Sequence, residues 1–269
     1  MLPARSFIVL PMLMLAANAT MAGAQTRTGR SGDGCDSGWN DSSRASYCEV
    51  REETIGGAAP LDIDPGGNGG IKVTGWDRGD VVVRSVVRGW GDTDADARRM
   101  VAGVHVETAA HIRALGPQTG RGEGWSVQFD IHVPRHAQVS LHTHNGGITI
   151  DNFRGIAEFR AHNGGVTLRN VGGEIKGETT NGGLTIDLTG DRWEGMGLDV
   201  STRNGGIKLT LPERYSAELE TGTVNGRIST DFPITIQGRL DRELHTTLGS
   251  GGVKIRAMTT NGGVTIHRR

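Results

Sequence analysis

Asn145-Gly146-Gly147-Ile148-Thr149-Ile150 is a phrase that the chain repeats. It returns as Asn163-Gly164-Gly165-Val166-Thr167-Leu168, as Asn181-Gly182-Gly183-Leu184-Thr185-Ile186 and as Asn204-Gly205-Gly206-Ile207-Lys208-Leu209. Asn225-Gly226-Arg227-Ile228 is a degraded copy, and Ser250-Gly251-Gly252-Val253-Lys254-Ile255 and Asn261-Gly262-Gly263-Val264-Thr265-Ile266 close the series. An early copy stands at Asn68-Gly69-Gly70-Ile71-Lys72-Val73. A phrase that recurs at an interval of about twenty residues marks a repeat architecture, in which each copy is one structural unit that buries its apolar face only by stacking on its neighbours.

Aligning the copies on their Asn exposes a period of two. Two residues before it stand Thr143, Ala161, Thr179, Thr202, Thr223 and Thr259. Four before are Leu141, Phe159, Gly177, Val200, Thr221 and Ala257, and six before are Val139, Ala157, Ile175, Leu198, Leu219 and Ile255. The positions between carry Ser140, His142 and His144, then Glu158, Arg160 and His162, then Lys176, Glu178 and Thr180. Successive strand residues point to opposite faces, so the first set faces a core and the second faces solvent. Asn145, Asn163, Asn181, Asn204, Asn225 and Asn261 are therefore turn residues between one strand and the next.

Two all-β folds satisfy this pattern. The first is a β-solenoid, single-stranded and β-helix-like, in which equivalent residues stack at ~4.8 Å from coil to coil. The second is an antiparallel β-meander or sandwich, because Asn-Gly between alternating runs is a strong hairpin signal. Spacings of 18, 18, 23 and 21 residues between successive Asn, the column of small Thr side chains and an aromatic content of 4% favour the solenoid. The interval of 11 between Ser250 and Asn261 predicts a terminal coil that caps the stack. Glycine is 43 of 269 residues, more than twice the usual ~7%, and its periodic placement makes it punctuation between strands.

The first residues carry a different signal. Arg5, the apolar run from Phe7 to Ala17 and the small residues Ala22-Gly23-Ala24 predict an export signal over 1–24 with cleavage before Gln25. That run is too short for a membrane span of ~20 residues, so the exported chain is not membrane-spanning. A Gly/Ser-rich, flexible leader follows over 25–46. Cys35 and Cys48 are the two cysteines, and in an exported chain they are expected to form a disulfide. The repeat domain is expected over 47–269. Strands are predicted at Tyr47–Ile55, Leu61–Ile63, Ile71–Val73, Val81–Val87, Val104–Ala109 and Trp125–Val133. One short inserted helix is expected near 93–102, with Asp92 as its N-cap. Phe129 to Pro134 and Ile207 to Pro212 are corresponding strand ends closed by proline.

These features resemble the bacterial putative-adhesin family, a domain of unknown function built from degenerate β-strand repeats. The resemblance rests on the Thr-x-Asn-Gly-Gly copies, on the strand ends at Pro134 and Pro212 and on the exported N-terminus, and it spans Tyr47 to Arg269. It implies a solenoid-like surface or envelope domain and brings no catalytic residue to carry over.

The residues themselves define no catalytic constellation and call for no cofactor. Lys and Arg total 29 against 30 Asp and Glu, and this balance excludes the basic face that nucleic acid requires. His142, His144 and His162 are candidate ligands for Zn²⁺, Ni²⁺ or Cu²⁺, with His144 and His162 at the same repeat position. No Cys or carboxylate completes that set, so a solvated histidine-rich face is the simpler expectation. Arg78-Gly79-Asp80 matches a cell-attachment tripeptide but also reads as an ordinary turn. Asp199, Arg160, Glu178 and Lys176 alternate in sign on outward positions, a pattern of charge pairing between coils. The expected function is a non-enzymatic exported scaffold that meets a protein or glycan partner at the cell envelope or surface. A polysaccharide-acting enzyme on the same scaffold and a histidine-rich metal-binding surface are the alternatives.

Overall fold

A computed structural model describes residues 35, 44–57, 59–232 and 242–269. The predicted export signal and all of the leader before residue 44 except Cys35 lie outside the described residues. The first strands are β1 (Ala45–Gly56), β2 (Leu61–Asp64), β3 (Ile71–Trp76) and β4 (Asp80–Gly91), and α1 (Asp94–Ala102) follows. Next come β5 (His105–Thr108), β6 (His111–Leu115), β7 (Gly124–Pro134), β8 (Gln138–Asn145) and β9 (Ile148–Phe153). The repeats continue with β10 (Ile156–Asn163), β11 (Val166–Val171), β12 (Glu174–Asn181), β13 (Leu184–Asp187), β14 (Gly197–Asn204) and β15 (Ile207–Leu211). The chain ends with β16 (Ala217–Asn225), β17 (Ile228–Thr230), β18 (Glu243–Leu248), β19 (Lys254–Asn261) and β20 (Val264–Arg268).

The repeats stack as a parallel solenoid, not as a meander. Each coil contributes one strand to each of two facing sheets, with the Asn-Gly-Gly phrase at the corner between them. In space the coils run β6/β7, β2/β3, β8/β9, β10/β11, β12/β13, β14/β15, β19/β20 and β16/β17. Registers hold equivalent residues side by side: Ala157 pairs with Val139 and Ile175, and Asn163 with Asn145 and Asn181. Antiparallel strands close both ends. β4 and β5 cover one end, with β1 outside β4, and β18 covers the second-sheet side of the other.

This order overturns one expectation. The last coil, β19/β20, does not cap the stack. It lies between β14/β15 and β16/β17, so Asn261 is the spatial neighbour of both Asn204 and Asn225. The first coil in sequence, β2/β3, is likewise inserted between β6/β7 and β8/β9. Ser250-Gly251-Gly252 is also not a copy of the corner phrase. It is the turn from β18 into β19, and Lys254 and Ile255 belong to the strand that precedes the Asn261 corner. The phrase resembled the others because glycines beside a β-branched run serve any tight turn.

The inward positions behave as the period requires. Val139, Ala157, Ile175, Leu198, Leu219 and Ile255 are buried, as are Leu168, Ile186, Leu209 and Ile266 across the core. A fully buried side chain of this size contributes roughly 1.5–3 kcal/mol. Gly177 stands at a core position because Phe159 fills the space beside it: a Cβ on Gly177 would come within 2.5 Å of that ring. The inserted helix forms as expected, but its N-cap is Thr93 and not Asp92. The Thr93 side chain accepts from Asp96 N while the Asp96 carboxylate accepts from Thr93 N, a reciprocal box that Asp92 lacks a partner to make. Arg51 donates to Val101 O and Val104 O and so holds the far end of the helix against β1. β6 is not among the predicted strands because its five residues run straight into a glycine-rich stretch, although His111-Ile112-Arg113-Ala114-Leu115 alternates as a strand should.

Three interactions lock coil to coil at the corner. The backbone continues its ladder through it, as Gly164 N donates to Asn181 O and Val166 N to Gly183 O. The Asn side chains form one chain of amides: Asn145 donates to Asn68, Asn163 to Asn145, Asn181 to Asn163, Asn204 to Asn181, Asn261 to Asn204 and Asn225 to Asn261, over 2.7–3.1 Å. Buried Thr179, Thr202, Thr259 and Thr223 each donate to a corner glycine carbonyl of the adjacent coil, at 2.7–2.8 Å. Amides linked in a row polarise one another, and each link is worth about 1 kcal/mol net.

The two glycines of the phrase have unequal duties. A Cβ on Gly164 would lie 2.0 Å from Gly146 O, whereas one on Gly165 would meet nothing closer than Gly183 O at 3.3 Å. The degraded copy fits this difference, because Asn225-Gly226-Arg227 keeps the first glycine and replaces the second on the outermost coil. Gly164→Ala is expected to lower stability by more than the ~1–3 kcal/mol of ordinary overpacking, and Gly165→Ala by less than about 1 kcal/mol, in denaturant midpoints. Asn181→Ala breaks two amide links and Asn225→Ala one. The same measurement should show Asn181→Ala costing about 2 kcal/mol and Asn225→Ala about 1 kcal/mol.

Candidate functional site

Because the register is locked, outward residues form straight columns. On the second sheet one column reads Glu158, Lys176, Asp199, Arg256 and Glu220 on successive coils. Charge alternates at every step. Arg256 bridges its two neighbours, with Nη1 at 2.8 Å from Asp199 and Nε at 2.9 Å from Glu220. Lys254 adds a contact to Glu220 at 3.1 Å. Arg160 reaches Glu158 at 3.5 Å and Glu178 on the next coil at 3.9 Å, while Lys176 pairs with Glu174 on its own strand at 2.6 Å.

Beside this column lies a shallow depression of about 500 Å³, lined by Asp64, His142, His144, Arg160, His162, Glu178 and Thr180 among others. His144 and His162 stack face to face there, with ring centroids 4.9 Å apart and planes 9° from parallel. His142 is not part of that pair. Its Nε2 lies 3.0 Å from Ser140 Oγ and 3.5 Å from Asp62 Oδ1. The structure therefore brings two of the three candidate ligands together, and among the described residues no group of three His, Cys, Asp or Glu side chains converges on a metal position.

The remaining sequence candidates are built into the frame. Cys35 and Cys48 are joined as a disulfide that ties residue 35 to β1. Arg78 hydrogen-bonds Asp80 within its own turn and lies 4.2 Å over the Trp76 ring, whose Nε1 donates to Asp80 O. The tripeptide is thus a self-tied turn. A second corner row escaped the sequence reading. Asn152 and Asn170 adopt left-handed backbone with φ of 55° and 47°, and Asn170 donates to Asn152 Oδ1 at 2.9 Å. Arg135 and Arg154 donate to these two Asn carbonyl oxygens. The available signal was the pair Asp151-Asn152 and Arg169-Asn170 at equal spacing, with Asn the non-glycine residue that best tolerates that conformation.

Burial pushes the Glu220 carboxyl upward, but hydrogen bonds from Lys254 and Arg256 outweigh it and hold the group below its ordinary value. A depressed carboxyl contributes stability above its unfolded pKa of ~4.3, and the contribution is lost as pH falls through the folded value. Glu220→Gln is expected to lose roughly 0.5–1 kcal/mol at pH 7 and to converge with the wild type in acid, in thermal midpoints taken across pH. A deficit that stays constant down the pH range would contradict this assignment.

Residues 77–267 match the family model described as Toastrack DUF4097. No curated protein matches the chain. Among solved structures, a putative cell adhesion protein from Clostridium sporogenes ATCC 15579 is 12% identical, with a TM-score of 0.39 over 82% of this chain and 100% of that one. A putative adhesin from Bacteroides fragilis NCTC 9343 is 13% identical, with a TM-score of 0.29 over 82% and 97%. A putative lipid binding protein from Parabacteroides distasonis ATCC 8503 is 10% identical, with a TM-score of 0.31 over 82% and 96%. The family match spans well over half of the 269 residues, and the chain belongs to the Toastrack DUF4097 family.

Proposed function

We propose that this chain is an exported, non-enzymatic β-solenoid scaffold that presents its outward columns to a protein or glycan partner at the cell envelope or surface. The observation that carries this reading is the column Glu158, Lys176, Asp199, Arg256 and Glu220. Its alternating charges are spaced by the backbone ladder, so a partner meets a fixed polar pattern at little ordering cost. Arg5, the apolar run to Ala17 and the small residues before Gln25 support export of the chain. The Cys35–Cys48 disulfide belongs to an oxidising compartment and supports the same reading. No helix among the described residues is long and apolar enough to cross a membrane.

Fractionation of the producing bacterium is expected to recover the protein outside the cytoplasm with Gln25 at its N-terminus. The purified protein should bind envelope or matrix material in a salt-sensitive manner. The double variant Arg160→Gln/Lys176→Gln should weaken that binding at least severalfold while leaving the fold intact by circular dichroism. A cytoplasmic protein that retains Arg5, or binding indifferent to both substitutions, would count against the proposal. Glycan turnover abolished by Glu178→Gln or Asp199→Asn would replace it with an enzyme.

A further inference from the structure

We propose that His144 and His162 form a surface site for a late first-row divalent cation, Zn²⁺, Cu²⁺ or Ni²⁺, bound by the two imidazoles and completed by water. The first support is register. Asn163 lies opposite Asn145 and Ala161 opposite Thr143, so the two histidines between them are opposed on adjacent parallel strands. The spacing at that point is held on one side by the Asn163 to Asn145 amide bond at 2.9 Å and beneath by the backbone ladder. Register fixes where the two side chains leave the backbone, so only their own torsions need ordering when they ligate an ion.

The second support is what the rings lack. His142 spends a nitrogen on Ser140 Oγ, His111 spends one on Asp62, and His267 spends one on Asp231. No protein hydrogen bond reaches the ring nitrogens of His144 or His162 among the described residues, and both side chains are exposed. In its neutral form each ring therefore offers one unshared lone pair that no protein donor occupies. In the stack the planes are 9° from parallel and the lone pairs lie in separate planes. Binding therefore requires the two exposed rings to swing out of the stack about their side-chain torsions. One nitrogen of each then stands roughly 3.4 Å from the other, the separation set by bonds of ~2.0–2.1 Å to a tetrahedral ion. Imidazole suits these cations, and Cu²⁺ should bind most tightly by the usual order of affinities. Asp64 and Glu178 line the same depression and offset the charge of Arg160 beside the pair.

The site belongs to the scaffold itself and stands whether or not the proposed envelope partner exists. Calorimetric titration of the full mature chain with ZnCl₂ is expected to show one site. His144→Ala and His162→Ala should each weaken it by at least the ~10–100-fold that loss of a mere outer-shell partner costs. His245→Ala, on the far strand β18, should leave it unchanged. Electron paramagnetic resonance of the Cu²⁺-loaded protein should count two equatorial nitrogens in the wild type and one in either single variant. Absence of binding by the wild type, or equal affinity in the His144→Ala/His162→Ala double variant, would overturn the assignment. Both rings are exposed, and circular dichroism of each variant checks the fold.

Discussion

At every Asn-Gly corner from Asn145 onward one coil sits so close to the next that a glycine carbonyl oxygen lies 2.0–2.2 Å from where a Cβ on the neighbouring glycine would stand. The remaining architecture depends on this contact. It demands glycine at the first position after Asn and brings the backbone ladder around the corner without interruption. The same close approach puts the Asn amides within reach of one another and lets the buried Thr hydroxyls find the corner carbonyls. Once the corner is fixed, a slip of one residue would move every apolar side chain to the solvent face, so the register of the flanking strands is fixed as well.

The order of coils in space follows from charge as well as from shape. In sequence, Asp199 on β14 is followed by Glu220 on β16, and stacking those coils directly would set two acids side by side. Insertion of β19 places Arg256 between them, with both carboxylates within 2.9 Å of its guanidinium. The last residues of the chain must therefore enter between two coils that precede them, and the first coil is enclosed in the same manner at the other end. Such a stack cannot grow by simple addition from one terminus. Its enclosed coils make contacts across long sequence separation, which slow folding.

Much of this was readable in the chain. Period two around the Asn separated Thr179 and Thr202 from Glu178 and Arg203, and burial follows that division. The stacking of His144 on His162 was readable for the same reason, since equal distance from the Asn means adjacency in a parallel stack. The order of coils was not readable from the repeat itself. Every corner carries the same Asn and glycine, so the phrase alone does not say whether Asn204 pairs with Asn225 or with Asn261. The outward charges are one feature that separates the two arrangements. The Asn152 and Asn170 row was hidden because a left-handed residue inside a strand carries no hydrophobic signature.

In a scaffold of this kind the positions of outward residues are set by the frame. The histidine pair and the alternating charge column are two patterns held by one register. Native-state hydrogen exchange tests the frame most directly. If β19/β20 is enclosed, the amides of Lys254–Asn261 and Val264–Arg268 will be protected as strongly as those of β12 and β13, although they end the chain. Exchange of those amides as fast as that of a frayed terminus, with β16 and β17 more protected than they are, would contradict the order of coils described above.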